Sequence, residues 1–198
     1  MDLYAAKGAI NARLAPVVDG LARARISPDA VTLAAIPVAM LGGSAVLLSP
    51  AAPALLLAVP LLCALRLFLN LLDGQLARRT GRIHPRGELF NEVGDRVADM
   101  ALLVPVAFLP GAQSETVLLG VAGALLASYV GLTARAAGGE RIYRGILSKP
   151  GRMLLLSIFA VAVFVLGPGA WWAFGILLLI GTLLTIIERL LVAVRRLP

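Results

Sequence analysis

Asn70, Asp73, Gly74 and Ala77 recur at i, i+3, i+4 and i+7, a spacing that puts all four on one stripe of a helix. Glu88, Asn91, Asp95 and Asp99 step by three, four and four and define a second stripe. The intervening TGRIHPRG holds Gly81, Pro85 and Gly87, which break and turn a chain. The two helices are therefore predicted to be antiparallel neighbours with their polar stripes face to face. Side-chain oxygens converging from two helices, with no histidine or thiolate among them, suit a hard divalent cation such as Mg²⁺ or Mn²⁺. A phosphate-bearing substrate would complete such a shell. Gly74 and Ala77 leave room for a bulky, flat group against the backbone. They equally allow two helices to pack closely, and spacing alone does not choose between the two.

These stripes sit in a chain of 198 residues that is 60% hydrophobic and 15% charged, with a mean hydropathy of +0.92. Soluble domains are about 45–50% apolar, so the composition is that of an integral membrane protein. The single cysteine, Cys63, lies in an apolar run, which excludes a disulfide framework or thiolate metal site and leaves a small buried hydrophobe. Six windows approach the roughly 20 apolar residues a spanning helix needs: 30–48, 53–76, 93–110, 115–137, 152–167 and 170–192. The predicted fold is an all-α bundle of six transmembrane helices over residues 29–198. Residues 1–28 lack the uninterrupted apolar core of a secretory signal and carry Asp2 and Asp19; they are predicted to form an amphipathic helix on the membrane surface.

The links at 49–53, 110–115 and 167–169 hold no Lys or Arg. The 18 basic residues fall instead in the termini, at 78–96, at 135–152 and at Arg66. The positive-inside rule puts both termini and the two arginine-rich loops on the cytoplasmic face. The net charge of +7 is assigned to topology and to anionic headgroups, with membrane lipids and not nucleic acid as partners. An ionisable group next to hydrocarbon is costly and by default functional, which returns attention to the stripes.

The stripes resemble the signature of the CDP-alcohol phosphotransferases, D-x2-D-G-x2-A-R-x8-G-x3-D-x3-D. The aligned residues are Asn70, Asp73, Gly74, Ala77, Arg78, Gly87, Asn91 and Asp95, of which six of eight match. ISPDAVT at 26–32 is similar to the element that opens the first membrane helix in that family. The resemblance implies transfer of a substituted phosphate, usually phosphatidyl, from a CDP-linked donor such as CDP-diacylglycerol to a small or phosphorylated alcohol, with release of CMP. It implies a homodimer in a bacterial-type inner membrane, with the site on the cytoplasmic side. Carried over by position, Asp73 and Asp95 would be metal ligands, Asp95 also the base for the acceptor hydroxyl. Gly74, Ala77 and Arg78, with Asp29 and Thr32, would lie against the CDP portion, and two divalent ions would hold the diphosphate.

Asn70 and Asn91 stand where the signature has Asp. An amide oxygen binds Mg²⁺ but brings no charge. Glu88, Glu92 and Asp99 lie near the same helix face as Asp95 and offer compensation, so Asp73, Asp95 and Asp99, with the two asparagines, are the predicted ligand set, for two ions or for one. A catalytically silent relative that binds CDP-lipid or assembles with a partner is the alternative. In the second basic loop, Arg135, Lys149 and Arg152 are predicted to reach a phosphorylated acceptor. Arg66, one turn before Asn70, is expected to pair with one of the acids. His84 is expected to be a solvated loop residue, and Trp171 and Trp172 interfacial anchors.

Overall fold

Proline and glycine punctuate the apolar runs, and helices start and stop at them. The computed structural model describes residues 14–197. Helix α1 is described over residues 14–23, followed by α2 (Pro28–Leu47), α3 (Ala58–Thr80), α4 (Pro85–Leu103), α5 (Ser114–Ala136), α6 (Lys149–Leu166) and α7 (Ala170–Arg196). Short 3-10 segments, Pro53–Leu57 and Val104–Phe108, precede α3 and follow α4. Among the described residues there is no strand.

Capping explains the boundaries nearest the site. Ser27 accepts from the Ala30 N–H at 3.1 Å ahead of Pro28 in the first turn of α2, a Ser-Pro start that satisfies an orphan donor and presets φ. Gly81, at φ 67°, closes α3 in the left-handed conformation, which lacks a steric penalty only for glycine. His84 then caps α4, its Nδ1 accepting from the Gly87 N–H at 2.9 Å. The single histidine is thus an exposed residue of the loop ahead of Pro85, as expected, with capping as an added duty.

Helix α2 packs against α3 and α4, α5 packs against α7, and α6 bridges α3 and α7. The α2–α4 contact is close: a Cβ on Gly43 would sit 1.9 Å from the Ala101 carbonyl oxygen, the kind of small-residue crossing by which helices associate in lipid. The core joins Val46, Val59, Cys63, Leu102, Leu156 and Phe174. Trp171 belongs to this core, 1% exposed and edge-to-face with Phe174 at 5.6 Å, so it is not an interfacial anchor. Trp172 is half exposed.

Large apolar side chains cover the outside, among them Leu61, Phe108, Val165 and Leu166, an exposed apolar surface that water does not tolerate. Among the described residues, five segments are long and apolar enough to cross a membrane: α2, Pro53–Thr80, α5, α6 and α7. Helix α4, the expected third span, does not qualify, because its first four turns carry Glu88, Glu92, Asp95, Arg96 and Asp99. The expected surface helix lies partly outside the described residues, which omit 1–13. In the remainder, Leu14 and Val18 are buried against Val31, Leu72 and Leu76, and Asp19 pairs with Arg79 at 2.8 Å.

Candidate active site

The two polar stripes meet. Asn70 Nδ2 on α3 donates to Asp95 Oδ1 on α4 at 3.3 Å, and Thr32 on α2 donates to Asp73 Oδ2 at 2.7 Å. Asp73 and Asp95 are both buried, 5% and 8% exposed. Three helices therefore deliver one polar floor at the end of the bundle where α2 and α4 begin and α3 ends.

A cavity of about 460 Å³ opens on one side of this floor. It is lined by Asp29, Thr32, Asp73, Gly74, Ala77 and Arg78, together with His84, Gly87 and Asn91. All five residues predicted to contact the donor are thus brought together. Gly74 is the gap in the α3 wall. Gly87 is the close approach of α4 to α2, because a Cβ there would stand 2.9 Å from Asp29 Oδ1. His84 Nε2 lies 3.4 Å from Asp29 Oδ2, so the cap also fixes an acidic rim residue.

A second cavity, about 480 Å³, opens on the other side and is lined by Asn70, Asn91, Glu92, Asp95, Arg96, Arg141, Lys149, Arg152 and Arg189. Asn91 and Tyr143 line both cavities. Lys149, the first residue of α6, hydrogen-bonds Asp95 Oδ2. Arg141 and Arg96 both pair with Glu92, and Arg141 lies over the Tyr143 ring at 4.5 Å. Arg189 donates to the carbonyls of Ala127, Tyr143 and Arg144 at 2.6, 3.2 and 2.7 Å, which ties the 137–148 segment to α5 and α7.

Several predicted residues have other duties. Asp99 is 1% exposed, with Arg66 Nη2 at 2.7 Å from Oδ1 and Arg152 Nη2 at 2.5 Å from Oδ2. Both its oxygens face guanidinium groups, so the structure does not bring it to Asp73 as a ligand. Arg152 is correspondingly committed, donating also to the Leu147 carbonyl at 3.0 Å, although it still borders the second cavity. Arg135 pairs with exposed Glu88 and lines neither cavity. Glu88 and Glu92, held by arginines, do not join Asp95. The expectation for Arg66 holds: besides Asp99 it contacts the Asp95 carbonyl at 3.1 Å.

Arg96, Arg141 and Arg189 were absent from the sequence-predicted set. Arg189 had a signal, an arginine inside the last apolar window; Arg141 had none beyond its loop. Among the described residues no three His, Cys, Asp or Glu side chains converge into a metal-holding group, so Asp73, Asp95 and Asp99 are not brought together as the trio of carboxylates expected. The site nonetheless has one feature that fits a cation. Asn70 Oδ1 is buried and has no hydrogen-bond partner, and an acceptor-only oxygen left bare beside carboxylates suits a hard cation.

The fold and site are thus those of an apolar helical bundle of membrane-spanning type with a polar floor and two cavities at one end. No protein-family model matches the chain. Curated relatives do. The chain is 33% identical over 172 residues to the inner membrane protein YnbA of Escherichia coli, covering 87% of this chain and 85% of that one. It is 32% identical over 160 residues to the archaetidylinositol phosphate synthase of Aeropyrum pernix, covering 78% and 77%. The fold matches the phosphatidylinositol phosphate synthase of Mycobacterium tuberculosis solved with CDP-DAG bound, with a TM-score of 0.75, 24% identity and coverage of 90% and 92%. The same mycobacterial protein in complex with manganese and citrate gives a TM-score of 0.75 at 21% identity, covering 91% and 88%. The chain belongs to the CDP-alcohol phosphotransferase family and is an integral membrane protein.

Proposed function

We propose that this protein transfers a phosphatidyl group from CDP-diacylglycerol to a phosphorylated alcohol, releasing CMP, as a step of phospholipid synthesis. The observation that carries the reading is the pair of adjoining cavities: Asp73 lines one with Asp29, Thr32, Gly74, Ala77 and Arg78, Asp95 lines the other, which is rich in arginine, and Asn91 lines both. The first suits the CDP portion and its diphosphate. The second suits a phosphomonoester, which guanidinium groups bind through paired hydrogen bonds. The relatives support both halves, since two of them are named as synthases of inositol phosphate lipids and one was solved with CDP-DAG. Retention of both carboxylates and both cavities favours an enzyme over a silent binder.

In this reading, Asp95 Oδ1 or Oδ2 takes the proton of the acceptor hydroxyl. The hydroxyl oxygen forms a bond to the phosphorus that carries diacylglycerol, and the bridging P–O bond breaks to release CMP. Lys149 orients Asp95, and Arg78 faces the leaving nucleotide. Asn70, Asp73, Asn91 and Asp95 would hold a divalent cation, Mg²⁺ or Mn²⁺, whose chemistry when bound is to neutralise the diphosphate and the charge developing on the leaving phosphate. The manganese complex of the mycobacterial relative supports divalent-ion use.

The architecture proposed around this site has six spans, with the apolar end of α4 and the Val104–Phe108 segment completing the third. Both termini and the site face the cytoplasm of a bacterial-type inner membrane. Residues 1–28 lie on the membrane surface beside the domain 29–198, and the protein works as a homodimer. The test is CMP release by the purified protein from CDP-diacylglycerol with Mg²⁺ and a panel of alcohols and phosphorylated alcohols. Acceptor-dependent CMP from a phosphorylated member supports the reading. Donor binding with no CMP from any acceptor would sink it in favour of the silent relative.

A further inference from the structure

The two carboxylates of the floor are neutralised differently. Asp95 carries a resident cation: Lys149 Nζ is on its Oδ2, Asn70 Nδ2 donates to its Oδ1, and Arg66 Nη2 stands 4.0 Å from the same oxygen. Asp73 makes no ion pair among the described residues and receives the neutral Thr32 hydroxyl. Asn70 turns its amide nitrogen to Asp95, and its buried Oδ1 is left without a partner.

We propose that the site takes one divalent cation, on the Asp73 side, and that the Lys149 ammonium is the fixed second positive charge, beside Asp95. This rests on the reading of the floor as a diphosphate site and narrows it. With Asn at 70 and 91 the floor holds two carboxylate charges, and Lys149 already answers one of them. A second divalent ion at Asp95 would have to bind the oxygen that the ammonium occupies, or lie against the ammonium itself, and like charges at contact repel strongly in a buried site. A hard cation needs carboxylate or carbonyl oxygens that are not engaged with donors. Asp73 meets only neutral donors and the Asn70 Oδ1 is bare, whereas both oxygens of Asp95 face donors, one of them an ammonium. Lys149 is suited to the substitute role. It is held in place as the first residue of α6, it lines the cavity that adjoins the donor cavity through Asn91 and Tyr143, and an ammonium has three donors. One is used on Asp95, which leaves two for phosphate oxygens.

A count of bound Mn²⁺ by electron paramagnetic resonance, on the full chain in nanodiscs, tests this. One ion per wild-type chain is expected, and a second in the Asn70→Asp, Asn91→Asp, Lys149→Gln triple variant. Lys149→Gln alone should still bind one Mn²⁺. Its affinity for CDP at saturating Mn²⁺, with no acceptor present, should fall about tenfold, the weight of one charge-assisted hydrogen bond. Lys149→Arg, which keeps the charge, should retain affinity and shows that loss in the Gln variant is not misfolding. Two ions in the wild type, or one ion in the triple variant, overturns the proposal. Unchanged CDP affinity in Lys149→Gln also overturns it and makes Lys149 an acceptor contact. Failure of the underlying reading looks different: wild-type protein would then bind neither Mn²⁺ nor CDP.

Discussion

The two cavities that adjoin at Asn91 and Tyr143 are of nearly equal volume, about 460 and 480 Å³, yet they are built in opposite ways. Most of the first comes from two stretches, 28–32 and 73–91, which meet because one short turn joins α3 to α4 and α2 crosses both. The second collects residues from α3, α4, α5, the 137–148 segment, α6 and α7. Local spacing suffices to define the first, whereas the second exists only after the far helices pack. The difference also explains the charges. Nearly every cation of the second cavity is anchored by an acid or a carbonyl from another element, as Arg141 and Arg96 are by Glu92 and Arg189 is by three carbonyls. The first keeps Asp73 and Arg78 uncommitted to each other.

That contrast can be broken by experiment. The largest effect is expected at the carboxylate of the second cavity: Asp95→Asn should lower CMP release about 10³-fold, the usual weight of a positioned general base, in a radiolabelled CDP-diacylglycerol assay. Next comes Asp99→Asn, one turn deeper on the same helix. It would leave two buried guanidinium groups without their carboxylate and cost about 3 kcal/mol of stability, seen as a lower thermal midpoint in detergent. Mn²⁺ binding should survive in the folded fraction; loss of the ion would restore Asp99 to the ligand set.

Packing beneath the first cavity is expected to be less costly to disturb. Gly43→Ala forces α2 and α4 apart at the Ala101 carbonyl, an overpacking cost of about 2 kcal/mol, again read in thermal unfolding. Arg141→Gln should raise KM for a phosphorylated acceptor about tenfold, one lost charge-assisted contact, with KM for the donor unchanged. A shift in donor KM instead would mean that the cavities do not divide the substrates as proposed. The smallest effect is expected from His84→Ala. Loss of the α4 cap costs about 1 kcal/mol, and His84→Asn, which can cap in the same way, should recover most of it.

Residues on a helical stripe were legible early because the 3.6-residue period is local. Asn70, Asp73, Gly74, Ala77, Asn91 and Asp95 needed only the period and the turn at Gly81–Pro85 to be placed face to face. The same logic misjudged Asp99. Its register with Asp95 is right, but periodicity says nothing of which partner arrives from another helix, and here Arg66 and Arg152 arrive together. Trp171 was misplaced for a related reason: its position at the start of an apolar helix is correct, while its burial in the core that also holds Leu156 and Ala160 of α6 depends on how α7 packs on α6.

The sequence by itself determined the helical membrane class, the break points at proline and glycine, and the polar floor with its two carboxylates and two amides, because each follows from composition or from contacts within a few turns. Only the tertiary structure decided which acid is free and which is paired. It alone put Lys149 on Asp95, Arg141 on Glu92, and the Arg144 carbonyl on Arg189 of α7. Those partners lie 45 to 54 residues apart, and no period or propensity carries information over that distance; shape complementarity among packed helices does.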